Sequence, residues 1–309
     1  MLLAWRCFGV QADVMIIGGG IAGLQAAIQL GRYERKVTVI DEGSGRSMLC
    51  RQYRNLLGWP DGISGRELRK AGRKHASNYD VDFMDEKVIR LGKERSGFRA
   101  ETEDGGTYHG KKLILATGVT DANPFPELEP CFGMSVYICP DCDGYEIKEK
   151  RTLVLGSGRA GVRMAFDLVR WTDRLTYVSH GSQSPVAEEE KRQLSEAGIG
   201  LHEGRIERVH LEGDQFAGVT LDDGTALQAE KAFIAFPGNV VHSDLGKQIG
   251  VERLENHHVL NDTRTKMTNI PGVWAAGDLA VHSEQVAIAM GEGAQAAVWV
   301  QRSLMQEES

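Results

Sequence analysis

The run Val14-Met15-Ile16-Ile17 passes without a break into Gly18-Gly19-Gly20-Ile21-Ala22-Gly23, and few folds accept such a junction. A short unbroken apolar run bounded by glycine is consistent with a strand buried on both faces. From Leu24 to Gly31 small and apolar residues recur at helical spacing, which predicts a helix. Val37-Thr38-Val39-Ile40 is the next strand and closes in Asp41-Glu42. Strand, G-x-G-x-x-G turn, helix and strand make a βαβ unit with an acid at the end of its second strand. Glycine lets the backbone approach a pyrophosphate resting on the helix N-terminus. Asp41 or Glu42 is then placed to accept hydrogen bonds from ribose hydroxyls. A lone glycine motif is weak and could be an incidental turn; the flanking strand, helix and acid are the context that the motif requires. Gly18, Gly20, Ile21, Ala22 and Gly23 are therefore candidate cofactor contacts.

The pattern returns later in the chain. Thr152 to Leu155 reads as a strand, Gly156-Ser157-Gly158-Arg159-Ala160-Gly161 as the turn, Val162 to Arg170 as the helix and Leu175 to Val178 as the following strand. Gly23 precedes Asp41 by 18 positions, and Gly161 precedes Ser179 by the same 18. Two such units in one chain imply two dinucleotide folds. Hairpin-like stretches follow each unit: Phe98 to Glu101 and Gly106 to His109 about Asp104-Gly105, and Phe216 to Leu221 before Asp223-Gly224. Each half then has an apolar strand, Lys111 to Ala116 before Thr117-Gly118 and Lys231 to Phe236 before Pro237-Gly238. Val273 to Asp278 and a helical run from about Gln285 to Leu304 close the chain. The fold class is therefore α/β, with two Rossmann-like, three-layer domains, the second inserted into the first. The expected division is 1–118 and 240–309 for the first domain and 119–239 for the second.

At 309 residues, two domains are the ordinary expectation. The 36 basic and 43 acidic residues leave a net charge of −7, with no basic stripe of the kind that nucleic-acid binding needs. Hydrophobic residues at 41% and charged residues at 26% argue against disorder. No apolar run approaches the ~20 residues that a membrane helix requires. The opening MLLAWRCFGVQA carries Arg6 in mid-run and leads straight to a strand, so it reads as a short extension rather than a signal peptide. A cytoplasmic location is expected. Five cysteines do not make a disulfide scaffold in a chain of this length.

Two of those cysteines carry chemistry: Cys139-Pro140-Asp141-Cys142-Asp143-Gly144. Two thiols separated by two residues can form a reducible disulfide. The alternatives are half of a zinc site, which would need two more ligands, or an inert pair. Asp141 between the sulfurs should raise their pKa by like-charge repulsion, whereas a helix N-terminus would lower it. Asp143, next to the second sulfur, is a candidate general acid or base if burial raises its pKa, or a turn residue before Gly144. Cys7, Cys50 and Cys131 read as structural. Gly277-Asp278 places a carboxylate after an apolar strand, suited to a polyol chain or to helix capping. His257-His258 reads as a solvated loop pair.

With these residues assembled, the chain resembles the low-molecular-weight thioredoxin reductases and their FAD-dependent disulfide oxidoreductase relatives, from Asp13 to about Arg302. The matching motifs are Gly18 to Gly23, Arg54-Asn55 with Gly62-Ile63-Ser64-Gly65, Ala116-Thr117-Gly118, Cys139 to Gly144, Gly156 to Gly161, and Asn269 to Asp278. The resemblance implies a homodimeric flavoprotein whose FAD domain is split by a nucleotide domain. It implies Cys142 as the sulfur facing the flavin, Cys139 as the sulfur exchanging with substrate and Asp143 as the acid. It further implies flavin contacts at Asn55, at the backbone of Val88, at Ala116-Thr117-Gly118, at Gly277-Asp278 and at Gln285-Val286. On position alone, His282 follows Gly277-Asp278 closely enough to be a candidate for lying near the isoalloxazine.

There are also departures. Gly156, Gly158 and Gly161 mark a second nucleotide site, but Ser179 and His180 stand where an acid would select NAD, and no arginine of an NADP site follows in Gly181-Ser182-Gln183. Glu284 stands where the family has an arginine. Pro140-Asp141 and Gly144-Tyr145-Glu146 resemble an oxygen-using dithiol-oxidase branch, and ferredoxin-linked relatives also lack the NADPH pattern. The expected function is a flavin-dependent thiol–disulfide oxidoreductase acting on a thioredoxin-like protein or a small disulfide or dithiol. The electron partner is left open among NAD(P)H, ferredoxin, flavodoxin and oxygen. A flavin-binding redox sensor without turnover is the reading from a different class.

Overall fold

The computed structural model describes residues 11–181, 185–281 and 284–309. The N-terminal extension with Cys7 and the position of His282 lie outside the described residues. The chain forms two compact units. The first takes the described residues of Met1–Met48, Arg66–Thr120 and Val241–Ser309; the second takes Leu49–Gly65 and Asp121–Val240. Leu49–Gly65 thus groups with the second unit and not with its sequence neighbours. Among the described residues, no helix is long and apolar enough to cross a membrane.

The first unit opens with β1 (Gln11–Ile17), α1 (Ile21–Arg32), β2 (Val37–Ile40), the short α2 (Arg46–Leu49) and α3 (Gly65–Ala76). There follow β3 (Val81–Met84), β4 (Val88–Glu94), β5 (Gly97–Thr102), β6 (Thr107–Leu115) and β7 (Val119–Thr120). Its sheet runs β3-β2-β1-β6-β5-β4. β1 is parallel to both neighbours, with Val14 opposite Val37 and Ile17 opposite Leu115. The unbroken apolar run in β1 has a packing reason. Val14 and Ile16 point into one core with Ala26, Ala296 and Val300, while Met15 and Ile17 point into another with Leu91, Phe98 and Val251. A parallel strand covered on both faces has no solvent side on which to place a polar residue.

The second unit contains β8 (Val136–Tyr137), α4 (Pro140–Asp143), β9 (Thr152–Gly156), α5 (Gly158–Leu168), β10 (Leu175–Ser179), α6 (Glu188–Glu196) and β11 (Gly200–Glu203). It continues through β12 (Ile206–Glu212), β13 (Gln215–Leu221), β14 (Ala226–Gln228) and β15 (Lys231–Ala235) to β16 (Val240–Val241). A parallel sheet runs β11-β10-β9-β15-β8, and a separate three-stranded sheet runs β12-β13-β14. The chain then returns to the first unit through α7 (Asp244–Gln248), β17 (Val273–Ala275) and α8 (Val286–Glu308).

Three elements differ from the sequence expectation. Gly106–His109 and Lys111–Ala116 were expected as separate strands and form the single strand β6. β6 serves two partners on one edge: its first half pairs antiparallel with β5 and its second half parallel with β17. α5 begins at Gly158, four positions before the expected start, because the helix starts inside the glycine turn. β12 pairs with β13 although its sequence, IERVHLE, shows only a broken alternation.

Candidate functional site

The first glycine turn is shaped by contacts that exclude side chains. Gly18 has φ +102°, and a Cβ there would lie 2.3 Å from the Ala116 carbonyl oxygen. A Cβ on Gly23 would lie 1.9 Å from the Gly18 oxygen, so α1 and the turn interlock. Gly20 differs: nothing lies within 4 Å of its Cβ position, and it caps α1 with no side-chain hydrogen bond and no acid in the first helical turn. That leaves an open, donor-rich helix start of the kind that binds phosphate. Asp41 accepts the Gly19 N–H at 2.9 Å and pairs with Arg69 on α3. Glu42 is more exposed, accepts the Ser44 hydroxyl at 2.6 Å and lies 3.3 Å from Lys87; the Ser44 hydrogen bond chiefly holds its carboxyl below the usual range. Val88 is buried with Ile17 and Ile40 near the carboxyl ends of β1 and β2.

The C-terminal segment converges on the same turn. Gly277 has φ +79°, and a Cβ there would meet the Ala22 Cβ at 2.8 Å. Its N–H donates to Glu292 Oε2 at 3.0 Å, and Glu292 pairs with Lys266 at 2.9 Å. Arg46 Nη1 contacts Asp278 at 3.1 Å and also reaches Glu284. Gln285 is the N-cap of α8 and Val286 its first residue. Thr117 Oγ1 donates to the His242 carbonyl at 2.6 Å, and the His242 N–H donates to the Gly118 carbonyl at 3.0 Å. Asn55 is exposed, on the segment belonging to the second unit. His258 departs from the solvated reading, since its Nδ1 lies 3.1 Å from the Ala280 carbonyl, whereas His257 is exposed.

In the second unit, Cys139 and Cys142 form a disulfide with Cα atoms 5.3 Å apart, and Cys50 and Cys131 are free thiols. The two sulfurs are therefore bonded to each other, and among the described residues no cluster of three or more His, Cys, Asp or Glu could hold a metal ion. Cys139 is the N-cap of α4, and the Cys142 N–H donates to its sulfur at 3.1 Å. Burial, and then the neighbouring Glu146 carboxylate, push the Asp143 carboxyl up to about 7 against the opposing pull of Arg54. Burial pushes the Cys50 thiol up to about 12.

The second glycine turn is packed from below. A Cβ on Gly161 would lie 2.2 Å from the Tyr177 ring, and the Tyr177 hydroxyl donates to the Gly158 carbonyl at 3.0 Å. A Cβ on Gly156 would meet the Ala235 carbonyl oxygen at 2.7 Å. At the end of β10, His180 Nδ1 accepts the Ile206 N–H at 2.9 Å. Its ring stands edge-on to Phe125 at 5.2 Å and to Phe236 at 6.0 Å. Burial, and then Arg205, lower its pKa.

Arg46, Arg69, Lys266 and Glu292 take part in these networks though nothing in the sequence marks them as site residues; Arg54 and Glu146 stand in motifs of the resemblance without a role assigned there. Arg69 is one of five Lys and Arg residues in the polar run GRELRKAGRKHA, and Lys266 and Glu292 are 26 positions apart, so no local pattern marks them.

The open Gly20 face, the interlocked glycines and the carboxylates at Asp41 and Asp278 fit an adenine dinucleotide. Residues 12–293 match the pyridine nucleotide-disulphide oxidoreductase family. The thioredoxin reductase of Aquifex aeolicus is 30% identical over 94% of this chain and 93% of its own. An alkyl hydroperoxide reductase component of Escherichia coli is 30% identical over 93% of this chain, which spans 57% of that protein. The crystal structure of HlmI has a TM-score of 0.88 at 28% identity, covering 97% of this chain and 95% of that one. Fold, glycine turns and disulfide together define a flavin-dependent disulfide oxidoreductase with FAD as its cofactor. The chain belongs to the pyridine nucleotide-disulphide oxidoreductase family, among its thioredoxin reductase-like members.

Proposed function

We propose that the protein moves two electrons between FAD held by the first unit and a substrate disulfide, through the pair Cys139/Cys142. On this reading the first unit is the FAD domain and the second carries the sulfur chemistry. The observation that carries the reading is the Cys139–Cys142 disulfide followed directly by a half-buried carboxyl. Bound FAD supplies a two-electron carrier between the sulfur pair and the electron partner. In the reducing direction the Cys139 thiolate attacks one sulfur of the substrate disulfide, forming a mixed disulfide and releasing the first substrate thiolate. Cys142 then attacks the Cys139 sulfur, releasing the second thiolate and re-forming the intramolecular bond. The Cys142 N–H favours the thiolate on Cys139 in the reduced pair. Asp143, half protonated near pH 7, donates a proton to a departing thiolate. The substrate class is a thioredoxin-like protein or a small disulfide; run in reverse, a dithiol is oxidised.

Ser179 and the wedged His180 ring favour a second reading of the electron partner, in which oxygen, ferredoxin or flavodoxin takes the place of NAD(P)H. Anaerobic titration of the purified flavoprotein with NADPH, NADH and dithiothreitol separates the two. Bleaching of the flavin band by dithiothreitol alone supports the second reading, and rapid bleaching by NADPH excludes it. A Cys139→Ser variant that retains disulfide turnover would end both.

A further inference from the structure

Two charged side chains beside the disulfide have no part in the mechanism above. Asp143 follows Cys142 directly and precedes a 3₁₀ turn, Gly144–Ile147. Asp143 is the N-cap of this turn and Glu146 its third residue, so the two carboxylates stand three positions apart at the start of one short turn. The turn is held in place: Ile147 is buried, and Gly144 lies so close to Trp171 that a Cβ would be 2.5 Å from its ring. Arg54 arrives from the segment Leu49–Gly65 of the same unit, its Nε 3.5 Å from Glu146 Oε2. Its Nη1 donates to the Gly133 carbonyl at 2.8 Å and its Nη2 to Gln52 Oε1, which fix the guanidinium plane.

We propose that Glu146 and Arg54 are positioning residues for proton delivery at the disulfide, their ion pair determining whether the Asp143 carboxyl holds the proton that a leaving thiolate needs. The proposal rests on the Cys139/Cys142 reading. Opening the disulfide takes two electrons from the flavin and one proton, giving one thiol and one thiolate; Asp143 supplies the proton and regains it from water. Glu146, three residues on in the same turn, makes a second negative charge at Asp143 costly and keeps the proton there. Arg54 partly neutralises Glu146, so the acid can still release it. The burial-driven rise of Asp143 to about 7, with Glu146 next and Arg54 opposing, agrees with this arrangement. The other titratable groups that feel Asp143 are the Tyr137 hydroxyl on β8 and the Cys50 thiol, and each is pushed up chiefly by its own burial. Lys231 on β15 faces Arg54 and Glu146, and its ammonium donates to Tyr137 at 3.1 Å.

The test is a pH titration of the flavin-loaded protein carrying ¹³C-carboxyl aspartate, with the Asp143 resonance identified by its loss in Asp143→Asn. Beside it runs the pH profile of dithiothreitol-to-flavin electron transfer. Glu146→Gln should lower the Asp143 midpoint by about one pH unit and Arg54→Met should raise it by a similar amount. The double variant should return towards wild type, and the rate profile should follow each shift. An unmoved midpoint in Glu146→Gln overturns the proposal, as does a shifted midpoint with an unshifted rate profile. The isosteric Glu146→Gln carries the test alone if Arg54→Met fails to fold. If Cys139→Ser leaves wild-type turnover intact, the redox-pair reading fails, while the carboxyl titration still reports on the Arg54–Glu146 pair.

Discussion

The Gly277 N–H donates to the Glu292 carboxylate at 3.0 Å, and Lys266 lies 2.9 Å from the other oxygen of that carboxylate. One side chain on α8 thereby ties down the turn before Asp278 and neutralises a mostly buried ammonium. Glu292→Ala should cost about 3–5 kcal/mol, because it leaves Lys266 uncompensated, and should release flavin on gel filtration. Glu292→Gln keeps an acceptor for Gly277 and should retain more flavin than Glu292→Ala. Urea unfolding and the flavin-to-protein absorbance ratio read both.

α8 offers a second contrast, between two of its glycines. A Cβ on Gly293 would lie 2.1 Å from the Ala22 carbonyl oxygen, which is backbone and cannot rotate away, whereas nothing lies within 4 Å of Gly291. Gly293→Ala must push α8 off α1 and should destabilise by about 1–3 kcal/mol, the usual cost of overpacking. Gly291→Ala should stabilise by about 0.5–1 kcal/mol through helix entropy. Thermal melts of the two variants, opposite in sign, check the pair.

Asp143 should leave a mark on stability. Its ordinary value is 3.8 and its folded value about 7. Between these limits the folded chain keeps a proton that the unfolded chain has lost, so stability falls as pH rises through this window and levels off above it. The full effect is on the order of 4 kcal/mol by the pKa difference. Asp143→Asn should flatten the window, as measured by urea midpoints between pH 4 and pH 8 in the oxidised protein.

Thiol reactivity should divide sharply. With its thiol pushed up to about 12 by burial, Cys50 carries almost no thiolate at pH 8. After reduction, iodoacetamide should modify Cys139 first, aided by the Cys142 N–H, and leave Cys50 unmodified over the same period. Peptide mass spectrometry at timed intervals reads the order; early labelling of Cys50 would contradict its burial.

Local regularities were legible because each is written within a few consecutive residues. β2 has its expected bounds, and the Asp104-Gly105 and Asp223-Gly224 turns stand where the strand patterns placed them. The interlock of Gly18, Gly23 and Ala116 follows the same logic, since glycine there answers to a steric demand of the turn. β6 runs through both expected strands because pairing partners, and not residue pattern, decide how far a strand runs. Leu49–Gly65, expected within the first domain, groups with the second unit for a related reason. Two of its arginines find partners far along the chain, Arg54 at Gly133, 79 positions away, and Arg51 at Asp214, 163 away.

Taken alone, the amino-acid order determined the two βαβ units, the two sulfurs with an acid beside them, and the absence of an acid after β10. All are short-range patterns, imposed by backbone sterics and by which faces of a strand are covered. Tertiary structure alone decided that Glu292 holds Gly277, that Arg69 balances Asp41, and that Arg54 meets Glu146. A buried charge must be matched by a partner close in space, and chain folding brings that partner from any distance in sequence.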